Sequence, residues 1–156
     1  MLAMDLQEIQ ELDSSKIIQA KLNEAIKHHQ GDLIVEDNSL EFESIKPLPG
    51  PLIKWFLQTL GNEGLYQLAQ KTGSQKCTNG IVIGYYNHAA KDIRFFESKI
   101  SGTIVAPKGN MDFGWGALFK PDGADKTYGE MDKAEKEPYN PRIKALRKLQ
   151  EYLENK

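Results

Sequence analysis

The sequence carries a single cysteine, Cys77, in 156 residues. That excludes an intramolecular disulfide and a cysteine-rich zinc site. It fits a reducing, cytoplasmic setting. No run approaches the ~20 apolar residues of a membrane helix, so no membrane partner is expected. The opening Met1-Leu2-Ala3-Met4-Asp5 is too short and too acidic for a secretory leader. Charge of one sign is also missing: 20 Lys+Arg stand against 22 Asp+Glu, a net charge of −2. Coating a nucleic acid polymer needs a basic excess, so that class of partner is excluded, while a local basic pocket stays open. There is no internal repeat, low-complexity segment or linker, and one domain over residues 1–156 is expected. What is there is 40% hydrophobic and 27% charged, which supplies a core and argues against disorder.

Ile18, Leu22, Ala25, Ile26 and His29 recur at helical spacing and predict a helix over residues 14–29. Ser14 or Ser15 would cap it and Gly31 would end it. Leu33-Ile34-Val35 reads as a short strand buried on both faces, delivering Glu36 and Asp37 at its C-terminal end. Pro47-Leu48-Pro49-Gly50-Pro51 is a rigid turn. Pro51 suits the start of a helix over 51–60 that Gly61 ends, with a second helix over 63–72. Long strands are expected at about 76–87 and 92–106, joined as a hairpin. After a loop-rich stretch and a short turn at 132–137, Asn140-Pro141 starts a last helix. That helix is expected to bury Ile143, Leu146, Leu149 and Leu153. The order of elements predicts a mixed α/β fold.

Three groups of residues could carry chemistry. Glu36-Asp37, with Glu8 upstream, offers oxygen ligands that suit Mg²⁺, which binds through one or two carboxylates plus substrate phosphates. The same carboxylates could hold a water as general base, or could be solvated acids at a strand end. Lys21, Lys54, Lys136 and Arg142 could together neutralise a triphosphate, though each alone reads as a surface charge. Phe113 and Trp115, among glycines, could stack on a nucleobase or pack a loop. His28-His29 has no partner cluster for a metal. Cys77 reads as a buried, inert thiol.

Taken in order, several segments resemble the inosine triphosphate pyrophosphatase family. They are Val35-Glu36-Asp37, Leu48-Pro49-Gly50-Pro51-Leu52-Ile53-Lys54-Trp55-Phe56 and Gly102-Thr103-Ile104-Val105-Ala106-Pro107-Lys108-Gly109. Asp112-Phe113-Gly114-Trp115, Phe119-Lys120-Pro121-Asp122-Gly123, Thr127-Tyr128-Gly129-Glu130-Met131 and Ala134-Glu135-Lys136 complete the series. The resemblance runs from about Glu8 to Tyr152. It implies a two-lobed α/β fold with a long mixed β-sheet flanked by helices, and a homodimer. It implies Mg²⁺-dependent cleavage of the purine nucleoside triphosphates ITP, dITP or XTP to monophosphate and pyrophosphate, in nucleotide-pool sanitation. By motif match, Glu8 and Asp37 would hold Mg²⁺. Asp37, helped by Glu36, would activate water. Lys21 and Lys54 would bind phosphate. Phe113 would stack on the base beside Trp115, and Lys136 and Arg142 would contact its 6-oxo edge.

The sequence departs from the family pattern at four places. The opening strand and Thr/Ser-Gly-Asn-x-x-Lys turn, which binds phosphate and ribose, is absent from this sequence. Phe-Gly-Trp-Asp is here Phe113-Gly114-Trp115-Gly116. Ser-His-Arg is here Asn140-Pro141-Arg142. The small hydroxyl residue after the acidic pair is Asn38. A divergent enzyme with relaxed base selection is expected. The alternative is an impaired relative serving as a nucleotide-binding or protein-interaction module. Lacking the family's first strand, the sheet would have an open edge. A partner subunit, a swapped segment or residues 1–8 are expected to cover it, since unpaired backbone groups are costly.

Overall fold

The computed structural model describes residues 6, 8–112 and 114–155. In chain order they form α1 (Ser14–His28), β1 (Leu33–Phe42), β2 (Pro49–Gly50), α2 (Ile53–Lys71), β3 (Lys76–Asn87), β4 (Asp92–Ile104), β5 (Phe119–Pro121), α3 (Lys133–Lys136) and α4 (Pro141–Glu154). The strands make one sheet in the order β2-β1-β3-β4-β5. The expected helix-flanked α/β architecture is present. Where the resemblance implies mixed pairing, every recorded pairing is antiparallel. The reason is local: β3 and β4 are joined by a short loop, and β3 begins beside the end of β1, where Phe42 pairs with Cys77, so it runs against β1.

β1 is longer than its apolar start suggests. It continues through Glu36, Asp37, Asn38 and Ser39 because the long β3 pairs with it from Leu33–Tyr86 to Phe42–Cys77. Glu36 and Asp37 therefore sit mid-strand, not at its end. Nor is the beginning of β1 buried on both faces: Ile34 is 56% exposed. β2 pairs only with Leu40 and Glu41. Among the described residues, the outer edge of residues 33–39 has no strand neighbour. Residues 1–5 and 7, expected to help cover that edge, lie outside the described residues. Leu6 and Glu8 do line the cleft beside it.

Three apolar clusters hold the layers. At one end of the long strands, α2 packs Ile53, Leu65 and Ala69 against Leu40, Phe42, Phe119 and Tyr128. At the other end α1 and α4 cover opposite faces. α1 lays Ile18 and Leu22 on Val82 and Tyr86. A Cβ at Gly84 would meet Ile18 Cγ2 at 2.2 Å, so only glycine lets α1 come this close. α4 sets Ala145 and Leu149 on Ile81, Ile83 and Tyr85. Its buried stripe is Pro141, Ala145 and Leu149, four residues apart. Of the expected stripe Leu149 is buried, whereas Leu146 and Leu153 are 41% and 42% exposed and Ile143 is half-buried. The two helices expected over 51–72 occur as one element, interrupted by Gly61 at φ 65° and ψ 179°. The cap of α1 is Asp13, whose carboxylate accepts from the Ser15 amide at 2.9 Å. Its extended backbone precedes the helix directly, and this leaves the Ser14 hydroxyl free for another task.

Candidate active site

The pleat of β1 decides the site. Successive side chains point to opposite faces, so Asp37 faces α1 while Glu36 faces α4. Asp37 opens onto a cleft of about 750 Å³ between α1, the free edge of β1 and the start of α2. Ser14, in the first turn of α1, donates its hydroxyl to Asp37 Oδ2 at 2.9 Å. Two turns further, Lys21 sends its ammonium back over the strand. Lys21 Nζ lies 2.7 Å from Glu8 Oε1 and 3.5 Å from Asp37 Oδ1. It also donates to the Glu36 backbone carbonyl at 3.0 Å. Lys21 is only 7% exposed, and an ammonium that buried needs such partners to offset lost hydration.

Burial pushes the Asp37 carboxyl above its ordinary pKa. The Ser14 hydrogen bond and the Lys21 charge pull it back, and the Glu8 carboxylate pushes with burial. A carboxylate that holds a proton more readily than usual, in an open cleft, is suited to general-base work.

Glu36 lines the same cleft, but its carboxylate turns elsewhere. Its carboxylate pairs with the Arg142 guanidinium at the start of α4. The two carboxylates thus engage different groups, while both residues line one cleft. Lys54, in the first turn of α2, lines the same cleft as Asp37, with its ammonium 5.7 Å from the Trp55 ring centre.

A second pocket, about 270 Å³, opens on the Glu36 face. Buried Asn79 and Tyr128 line it together with Trp115, Lys136 and the exposed Asn38 and Arg142. Local signals place the two cations. Asp132 and Glu135 make a reciprocal capping box at α3, which presents Lys136. The Asn140 side chain accepts from the Arg142 amide at 2.9 Å, capping α4 and fixing where Arg142 begins. Trp115 lies nearly parallel to Tyr128, with ring centres 6.4 Å apart. Phe113, the expected stacking residue, lies outside the described residues.

The structure thus brings Glu8, Lys21, Asp37 and Lys54 into one cavity and Trp115, Lys136 and Arg142 into the other. The Glu36–Arg142 pair lies between them. Two residues were missed by reading the sequence. Ser14 looked like a helix cap. Asn79 looked like a strand residue, although a lone amide amid Cys77-Thr78-Asn79-Gly80-Ile81-Val82-Ile83 is a signal that could have been used. Asn79 is 3% exposed and its Oδ1 has no hydrogen-bond partner among the described residues. Leaving such an acceptor unmet costs about 1–3 kcal/mol.

No group of three or more His, Cys, Asp or Glu able to hold a metal occurs among the described residues. Mg²⁺ does not require one, because it takes one or two carboxylates and completes its shell with water and phosphate. Glu8 and Asp37 already converge on one cation, the Lys21 ammonium, so the donors fit an ion of that kind.

Comparison with known proteins follows the same lines. A model described as the Ham1 family matches residues 2–152. Over 151 residues the chain is 34% identical to an inosine triphosphate pyrophosphatase of Schizosaccharomyces pombe, covering 97% of this chain and 80% of that protein. Over 152 residues it is 37% identical to an inosine triphosphate pyrophosphatase of Scheffersomyces stipitis, covering 97% and 77% respectively. In three dimensions it superposes on a Ham1 protein of Coxiella burnetii with a TM-score of 0.82 at 18% identity, over 97% of this chain and 82% of that one. A Staphylococcus aureus Ham1 protein gives 0.76 at 23% identity, over 97% and 81%.

Proposed function

Because this chain belongs to the Ham1 family, we propose that it is a nucleoside triphosphate pyrophosphohydrolase. It splits the non-standard purine nucleotides ITP, dITP and XTP into the monophosphate and pyrophosphate, and so clears them from the nucleotide pool. The observation that carries this reading is the gathering of Asp37, Lys21 and Glu8 in one open cleft, with Ser14 bonded to Asp37. A second pocket lined by aromatic and cationic side chains adjoins it.

The chemistry follows from the residues. Asp37 accepts a proton from a water as the water oxygen bonds to the α-phosphorus. The bond from the α-phosphorus to the bridging oxygen breaks, and pyrophosphate leaves with the electron pair. Asp37 then returns the proton to solvent. Ser14 fixes the carboxylate by holding Oδ2, which leaves Oδ1 for the Lys21 side. Lys21 and Lys54 supply positive charge to the phosphates, which need neutralising more than they need covalent help. Trp115 shapes the base site, and Lys136 and Arg142 present donors to a 6-oxo group.

Mg²⁺ is the cofactor this reading carries, with Glu8 and Asp37 as its protein ligands. When bound it would neutralise phosphate charge and favour departure of pyrophosphate. A cytoplasmic homodimer is the form expected of the family.

The test is pyrophosphate release from ITP, XTP, dITP, GTP and ATP with Mg²⁺, with Asp37→Asn in parallel. Release confined to ITP, dITP and XTP and lost in Asp37→Asn is expected. A folded protein that releases pyrophosphate from none of them would overturn the reading and leave a binding module.

A further inference from the structure

The lining of the second pocket includes a buried amide, Asn79, that none of these roles uses. Tyr128 fixes which way that amide faces. The Tyr128 hydroxyl donates its proton to the Tyr139 carbonyl oxygen, so toward Asn79 it can only accept. Asn79 accordingly turns Nδ2 to it, at 3.4 Å. Burial pushes the Tyr128 hydroxyl pKa up to about 12, which keeps that proton in place. Asn79 Oδ1 is left on the other side, shielded from solvent and without a donor among the described residues. The terminal torsion of asparagine is broad, so the amide can rock toward the cavity without leaving its rotamer.

We infer that Asn79 is a specificity-determining residue that accepts the N1–H of a 6-oxopurine base and thereby excludes adenine. The inference rests on the nucleotide pyrophosphatase reading above and deepens it. A 6-oxopurine presents an oxygen acceptor at C6 beside an N1–H donor. Adenine presents the reverse, an amino donor beside a bare N1 lone pair. The pocket is lined by cationic donors, Lys136 and Arg142, and by a buried neutral acceptor, Asn79. That set complements the oxo-purine edge. With adenine the N1 lone pair would face Oδ1, and the amino group would face the cations. A polar site left mispaired in this way rejects a ligand far more strongly than a mismatch of apolar size. Where the resemblance implies a carboxylate and a Ser-His pair, this sequence has Gly116 and Asn140-Pro141. Asn79 supplies base discrimination from a different element, β3.

The experiment is calorimetric binding of IMP, N1-methyl-IMP and AMP to the full chain and to Asn79→Leu and Asn79→Asp. Binding of monophosphates separates recognition from hydrolysis. The wild type is expected to bind IMP about a hundredfold more tightly than either analogue. Asn79→Leu is expected to bring IMP down to the level of N1-methyl-IMP, and Asn79→Asp, which as a buried carboxylic acid keeps both a donor toward Tyr128 and an acceptor, to retain the preference. The melting temperature of Asn79→Leu should not fall, since the leucine removes an unmet acceptor and leaves the Tyr128–Tyr139 bond. Unchanged IMP binding in Asn79→Leu, or a wild type that does not separate IMP from AMP, overturns the inference. Should Asn79→Leu not fold, the wild-type ratios and Asn79→Asp decide it. Absent pyrophosphate release with a preserved, Asn79-dependent IMP preference would sink the hydrolytic reading alone.

Discussion

The Ser14 hydroxyl and the Asp37 carboxylate meet at 2.9 Å although 23 residues separate them. The bond crosses from the first turn of α1 to the middle of β1 and leaves one carboxylate oxygen for the Lys21 side. A hydrogen bond to the ionised form lowers a carboxyl pKa. Ser14→Ala should therefore raise the Asp37 pKa beyond its already elevated position. The acidic limb of the kcat profile should move to higher pH, with a loss of about tenfold or more below that limb. A profile that drops uniformly at all pH values would speak against a role through Asp37.

Asp37→Asn should abolish pyrophosphate release and at the same time stabilise the fold. Burial has raised the folded-state pKa of Asp37 above its unfolded value. The folded state then holds the proton more tightly, so stability is lost as pH rises through the elevated pKa. The asparagine variant should melt higher than the wild type at neutral pH. The gap should close as pH falls to the ordinary carboxylate range and Asp37 takes up its proton. Melting scans across that range provide the check.

Lys21→Met should destabilise the protein by about 3–5 kcal/mol at neutral pH, because it strands a buried carboxylate without its cation. Asp37 would keep the Glu8 charge as a neighbour and lose the Lys21 charge, so its pKa should rise further. The deficit should then shrink as pH is lowered. Urea unfolding at two pH values distinguishes this from simple loss of packing, which would be independent of pH.

Gly84→Ala should weaken the protein by about 1–3 kcal/mol, the usual effect of overfilling a packed contact. The added methyl would meet Ile18 and Leu22 and lift α1 from the sheet. Since α1 carries Ser14 and Lys21, activity should fall more than stability alone accounts for. Equal KM and kcat in a folded Gly84→Ala would refute that link.

Much of the fold was legible because its signals are local. The hairpin of β3 and β4 showed in two long β-rich runs, the Gly61 break in a glycine between apolar stretches, and the start of α4 in Asn140-Pro141. The length of β1 was not legible. Glu36-Asp37-Asn38-Ser39 has no strand propensity, and only its pairing with β3 holds it extended. The residue types of the site could be read from ordered motifs. The sharing of labour among them could not. That Glu36 and Asp37 part company depends on the strand running through both. That Ser14 and Asn79 matter depends on partners 23 and 49 residues away.

The Glu36–Arg142 ion pair spans the boundary of two cavities, and this has a thermodynamic consequence. Any ligand that draws Arg142 toward the smaller cavity leaves the Glu36 charge less compensated at the border of the larger one. A cation arriving in the larger cavity likewise loosens the hold of Glu36 on Arg142. Occupation of one side then changes affinity on the other, and linkage requires the effect to be equal in both directions. The pair would act as a shared counterion whose loyalty depends on what is bound.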